Sequence, residues 1–145
     1  MSAILSLSEI TEDDRGRVGG KAHALARAAG SGFRLPETLC LAADLYHEFV
    51  DGGGLWEWIQ LELHRKPFEQ MSWEEIWDCA LRIRSRFLTA PMPEDLGRRL
   101  TEAVTARFCD RAVVVRSSAP EEDTAAASFA GLHESVVNVS DVESI

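Results

Sequence analysis

The sequence predicts an α+β fold, rich in helix, with a small sheet built from short strands. Three observations predict it. Apolar residues recur every three or four positions over Ala22–Ala29, Ile76–Phe87 and Leu96–Val104, the repeat of helices with one buried face. Short β-rich runs, Ala112-Val-Val-Val115 and Ser135–Val139, lie late in the chain. At 145 residues and 46% hydrophobic composition the chain can bury one core, and no composition shift marks a second complete domain.

Taken in order, residues 2–7 read as a short strand, followed by the acidic turn Thr11–Asp14. Gly19-Gly20-Lys21 opens a helix carrying Ala22, Leu25, Ala26 and Ala29, with Gly30 as its stop. Leu35-Pro36 forces an extended entry to a second strand, Thr38–Leu41. A helix over Ala43–Val50 ends at Asp51-Gly-Gly-Gly54, read as a linker, and a further helix over Leu55–Lys66 is stopped by Pro67. Ser72 and Glu75 form a capping box at the start of the Ile76–Phe87 helix, whose Arg82, Arg84 and Arg86 read as a solvated face. Pro91-Met-Pro93 breaks it, and a last helix runs from Glu94 to about Phe108. The four tryptophans of this middle region read as core anchors or as a docking face.

Composition narrows the function. The formal charge is -9, and residues 117–145 hold Glu121, Glu122, Asp123, Glu134, Asp141 and Glu143 with no Lys or Arg. Nucleic-acid binding is not expected, because phosphate backbones are gripped by clustered cations. Cys40, Cys79 and Cys109 are odd in number and widely spaced, which predicts small core residues of a reduced, cytoplasmic protein. No metal-ligand pattern emerges from them or from His23, His47, His64 and His133. No run approaches the ~18 apolar residues of a membrane span, so no membrane partner is expected. The chain reaches Ile145 just after a strand with no stop signal, which predicts a piece of a longer protein.

Two segments carry candidate chemistry. Lys21 stands at a helix start, where unpaired first-turn amides and the helix dipole already favour an anion. A cation there is mildly unfavourable for the helix itself, so an anion site and a plain helix start are both open. The pattern is not the Walker type, because Arg15 stands where its first Gly would be and Ala22 where its Ser or Thr would be. The strand Ala112–Val115 delivers Arg116, Ser117 and Ser118 into a small-residue loop, Ala125-Ala-Ala-Ser-Phe-Ala-Gly131. A guanidinium there suits phosphate or carboxylate oxygens, or a salt bridge to the Glu121–Asp123 run. Small side chains let backbone amides of such a loop approach a ligand.

With both segments in view, Val18-Gly-Gly-Lys-Ala-His-Ala-Leu25 and Val115-Arg-Ser-Ser-Ala-Pro-Glu-Glu-Asp123, followed by Ser128-Phe-Ala-Gly131 and His133-Glu134, set a pattern. The chain resembles the N-terminal nucleotide-binding region of the phosphoenolpyruvate synthase and pyruvate phosphate dikinase family, which includes rifampin phosphotransferases. That family is built on an ATP-grasp fold, so the resemblance implies that residues 1–145 are its first lobe. It implies that Lys21 and Arg116 contact the phosphates of ATP, and that Ser128, Phe129, Ala130 and Gly131 form a phosphate-covering loop. Ser117, Ser118 and Glu134 would support those contacts. Departures are Ala22 where the family has Gly or Asn, His23 for a small residue, Leu132 for Gln, and Thr124-Ala-Ala126 for Leu-Pro-Asp.

The parent enzyme implied by the resemblance moves phosphoryl groups from ATP through an enzyme His to pyruvate or a related acceptor. A rifampin phosphotransferase-like antibiotic kinase and a non-catalytic nucleotide- or protein-binding module are the alternatives. In the family the Mg²⁺ ligands lie on the second lobe, and the His and acceptor domains come later. This chain is therefore expected to be inactive alone, to hold no metal, and to self-associate through an exposed inter-lobe face.

Overall fold

The computed structural model describes residues 2–109, 111–118, 123–124, 127–128 and 135–140. It is helix-rich with short antiparallel strands, as the α+β reading predicts. In order the elements are β1 (Ile4–Ser6), α1 (Arg15–Gly30), β2 (Leu39–Leu41), α2 (Ala43–Gly52), α3 (Leu55–Leu63), α4 (Trp73–Thr89), α5 (Glu94–Phe108), β3 (Val113–Arg116), β4 (Asp123–Thr124), β5 (Ala127–Ser128) and β6 (Ser135–Val139). Single 3₁₀ turns fill Leu7–Glu9, Glu12–Asp14 and Phe68–Gln70. Among the described residues the strands form three antiparallel pairs, β1 with β2, β3 with β6 and β4 with β5.

The chain divides into two units, residues 1–45 with 98–145 and residues 46–97. In the first, Leu5 of β1, Val18 and Ala22 of α1, Cys40 of β2 and Ala42 form the core cluster, closed by Ile10. Leu5 faces Cys40 across the β1–β2 ladder, and the amide of Ala42 bonds the carbonyl of Ala3 at 2.9 Å. Residues two apart on a strand share a face, so this short ladder presents one apolar side to α1.

Helix α1 starts at Arg15, ahead of the predicted Gly-Gly-Lys opening, and is broken at Gly19, whose φ of 78° and ψ of 167° are not helical. It ends at Gly30, as the sequence predicts, and the turn that closes it lies two residues further on. Phe33 N bonds Ala28 O at 3.2 Å and Gly32 N bonds Ala29 O at 3.0 Å, with Gly32 at φ +86°. That is a Schellman closure built on Gly32, because its left-handed backbone suits glycine, whereas Gly30 is the last helical residue.

In the second unit, Val50, Leu55, Cys79 and Leu96 are buried, and Tyr46 stacks on Phe87 with ring centroids 6.0 Å apart. The helix α4 starts where predicted. Glu75 N donates to Ser72 Oγ at 3.3 Å, and Ser72 N donates to Glu75 Oε2 at 2.7 Å. The predicted α3 ends at Leu63 instead of Lys66. The Gly triplet is less of a linker than expected, since α2 runs through Gly52 and Gly54, at φ +60°, turns the chain straight into α3.

Several side chains depart from expectation. Trp56, Trp73 and Trp77 are 54%, 73% and 60% exposed, so they are not core anchors. On α4, Trp73 and Trp77 lie with Leu81 and Leu88 outside the Ile76–Ile83–Phe87 stripe, which local periodicity marks as the apolar face. Arg82 is not simply solvated: its Nε lies 2.9 Å from the buried Glu62 carboxylate, and it also pairs with Asp78. Cys40 and Cys79 are buried but Cys109 is exposed. The strand β3 is half-covered and not buried, with Val114 exposed. No described helix is long and apolar enough to cross a membrane.

Candidate phosphate site

The two segments singled out in the sequence meet at one hydroxyl. Ser118, just past β3, donates from Oγ to the carbonyl of Val18 at 2.8 Å and accepts at Oγ from the amide of Ala22 at 3.0 Å. The partners lie on either side of the Gly19 break. Because Gly19 is non-helical, the helix restarts behind it, and Gly20, Lys21 and Ala22 form a new first turn. Ser118 therefore caps that turn from 96 residues away.

Glycine is required at the break for two reasons. Its φ of +78° is one that side-chain-bearing residues rarely adopt, and a Cβ there would stand 2.1 Å from Ser118 O and 2.8 Å from Ser118 Oγ. Val18 and Ala22 are both buried in the core cluster, so the capped turn is anchored to the sheet of the first unit. This gives the restarted helix a fixed origin.

The other predicted residues sort as follows. Lys21 is half-buried in the first turn behind the break, and Arg116 is exposed at the last residue of β3, two positions before the Ser118 contact. Arg116 pairs in register with Ser135 of β6. Ser117 is half-buried between Arg116 and Ser118. Ser128 lies in β5, in antiparallel register with Asp123 of β4, so the described part of the predicted loop is a short strand. Phe129, Ala130, Gly131 and Glu134 fall outside the described residues. Two cations of opposite parts of the sequence are thus carried on backbone segments tied together by Ser118.

Residues that sequence reading passed over brace this arrangement. Arg17, two residues before the break, donates to Asp14 Oδ1 at 2.7 Å, Asp44 Oδ2 at 2.9 Å and the Ser2 carbonyl at 3.0 Å. It ties the start of α1 to the start of α2 and to the first strand's approach. The Asp14 carboxyl is held below the usual carboxylate range, first by the Thr11 amide, then by the Thr11 hydroxyl and Arg17. The Arg17 guanidinium is correspondingly raised by Asp44 and Asp14. His23, an ordinary histidine by sequence, is buried with Nε2 3.1 Å from Glu12 Oε2. A local sequence signal exists for Asp14, since Thr11-x-x-Asp14 is a capping pattern, but none exists for Arg17 with Asp44.

A groove of about 740 Å³ also lies in the first unit, lined by Ser6, Ile10, Phe33, Arg34, Glu37 and Arg107 among others. Lys21, Arg116, Ser117 and Ser118 do not line it. Arg107 Nε lies 3.0 Å from Glu37 Oε1, without the alignment of a hydrogen bond. The pair neutralises charge on the groove wall. Among the described residues no group of three or more His, Cys, Asp or Glu is placed to hold a metal ion.

Comparison with known proteins points the same way. The family described as pyruvate phosphate dikinase, AMP/ATP-binding domain, matches residues 15–145. A probable phosphoenolpyruvate synthase of Methanocaldococcus jannaschii is 30% identical over 151 aligned positions, covering 100% of this chain and 12% of the relative. The phosphoenolpyruvate synthase of Aeropyrum pernix is 33% identical over 98% of this chain and 18% of its own length. A rifampicin phosphotransferase of Streptomyces sviceus is 34% identical over 94% of this chain and 16% of its own length. The chain thus spans less than a fifth of the length of each of these three relatives.

Proposed function

The chain belongs to the pyruvate phosphate dikinase AMP/ATP-binding domain family, and we propose that it is the phosphate-holding first lobe of an ATP-grasp domain. In this reading Lys21 and Arg116 hold the phosphates of ATP, and Ser128 to Gly131 cover them. The single observation that carries the reading is the Ser118 junction, which joins the Gly20–Ala22 turn to the end of β3. A fresh helix start, one lysine in its first turn and one arginine on the adjoining strand end suit a polyphosphate.

Such a lobe contributes charge stabilisation to phosphoryl transfer, in which little covalent work falls to the protein. Mg²⁺ would add to the neutralisation of phosphate charge and would be held by groups outside this chain. The parent protein is a phosphotransferase that passes phosphoryl groups from ATP through an enzyme His to pyruvate or a related acceptor. The likeness to a rifampicin phosphotransferase supports, as a second reading, a parent protein in which the same kind of lobe serves an antibiotic acceptor bound by other domains. The lobe alone binds ATP weakly and is inactive.

Titration of ATP with Mg²⁺ into this chain, followed by amide NMR shifts, tests the assignment. Shifts confined to Gly19–Ala22 and Val115–Ser118, with millimolar affinity that Lys21→Ala and Arg116→Ala abolish, are expected. Equal affinity in the wild type and the Arg116→Ala variant removes Arg116 from the site.

A further inference from the structure

We propose that Ser118 is the positioning residue of this site: its hydroxyl locks the Gly20–Ala22 turn to the end of β3, so that the Lys21 and Arg116 sides form one preorganised unit. The inference rests on the phosphate reading above and adds a role for a residue that does not itself touch the phosphates. Ser118 Oγ is used in both directions, as donor to Val18 O at 2.8 Å and as acceptor from Ala22 N at 3.0 Å. Both partners belong to buried residues of the core cluster. Deleting the hydroxyl leaves a covered N–H and a covered C=O without it, the costly case for hydrogen bonding.

The bond to Val18 decides between a lock and a placeholder. A phosphate oxygen arriving at the helix start would accept from Ala22 N–H as Ser118 Oγ does, but it would be repelled by the Val18 carbonyl. A hydroxyl satisfies both groups at once, whereas an anion satisfies one. Ser118 therefore stays in place when anion binds, and the donors left to the ligand are those of the turn ahead of Ala22 together with the two cations. The backbone of Ser118 is seated equally closely, since its carbonyl carbon lies 2.6 Å from where a Gly19 Cβ would be. A site so braced loses less freedom on binding, which is how preorganisation raises affinity.

The test uses this chain with sodium tripolyphosphate as probe, followed by amide NMR shifts and by hydrogen exchange at Gly20–Ala22. Ser118→Ala is expected to weaken the probe's affinity about tenfold and to speed exchange of the Ala22 amide, with Leu25–Ala29 exchange unchanged. Ser118→Thr, which keeps the hydroxyl, is expected to restore both. Affinity of Ser118→Ala equal to or tighter than wild type, while Lys21→Ala and Arg116→Ala weaken binding, overturns the positioning role and leaves the phosphate reading standing. If none of the three substitutions alters binding, or the wild type shows no shifts at millimolar probe, the phosphate reading itself falls. Wild-type protein supplies a check free of any folding defect. Its Ala22 amide stays protected on titration, and loss of that protection as probe is added would show Ser118 displaced and overturn the proposal.

Discussion

The carbonyl oxygen of Ser118 lies where a side chain on Gly19 would begin, 2.1 Å from an ideal Cβ. Two costs coincide there, a left-handed backbone and a backbone-to-backbone overlap that no rotamer relieves. Gly19→Ala is expected to lower unfolding stability by at least roughly 2 kcal/mol. A Cβ added at Gly16, in the turn before, would meet no atom within 4 Å. Gly16→Ala should instead stabilise by roughly 0.5–1 kcal/mol, because helical alanine loses less entropy than glycine. Urea unfolding of both variants checks this, and equal midpoints for the two would contradict the geometry.

How much of this was legible in the sequence depends on distance along the chain. The start of α4 was legible because Ser72 and Glu75 are three residues apart and the device is wholly local. The Gly19–Ser118 junction was not, since nothing in the spacing of Gly19-Gly20-Lys21 says which glycine breaks the helix or which distant hydroxyl caps the restart. Both halves were visible as unusual segments, and their meeting is a tertiary fact. The tryptophans failed for a different reason. Trp73, Trp77 and Leu81 repeat every four residues and form a second apolar stripe, and periodicity cannot say which of two stripes on one helix faces inward.

The capping box of α4 gives a local stability test. Ser72→Ala should cost the second unit about 1 kcal/mol, and Ser72→Asp should recover most of it. The reciprocal bond is the shorter one, at 2.7 Å, and Glu75 also accepts from Lys66 Nζ at 2.9 Å. Glu75→Ala should therefore destabilise at least as much as Ser72→Ala. Urea unfolding read by far-UV circular dichroism measures both, and a neutral Glu75→Ala would show that the reciprocal bond contributes nothing.

Strong acid should loosen the start of α1. The Asp14 carboxyl is held below the usual carboxylate range by the Thr11 amide, then the Thr11 hydroxyl and Arg17. A depressed carboxyl stabilises the folded state fully above its unfolded value of about 3.9, and that contribution disappears as pH falls through the lower folded value. Stability is thus expected to be flat in this respect from neutral pH down to about 5 and to drop below about 4. Asp14→Asn should be less stable at neutral pH and should lose less on acidification. Parallel pH profiles for wild type and variant, measured as urea midpoints, would assign the acid loss to other groups such as Glu9, which Ser6 holds low in the same way.

Burial separates two large apolar residues of the second unit. Leu55 opens α3 and is 0% exposed, whereas Trp73 opens α4 and is 73% exposed. Truncating Leu55 removes buried methyl groups and leaves a cavity that the surroundings fill only in part. Leu55→Ala is therefore expected to cost about 2–5 kcal/mol. Trp73→Ala removes more atoms but returns little surface to water, and should change stability by no more than about 0.5 kcal/mol. Side-chain size alone predicts the opposite order. Thermal and urea unfolding of the two variants decide between size and burial, and a larger loss for Trp73→Ala would mean that the tryptophan is covered in solution.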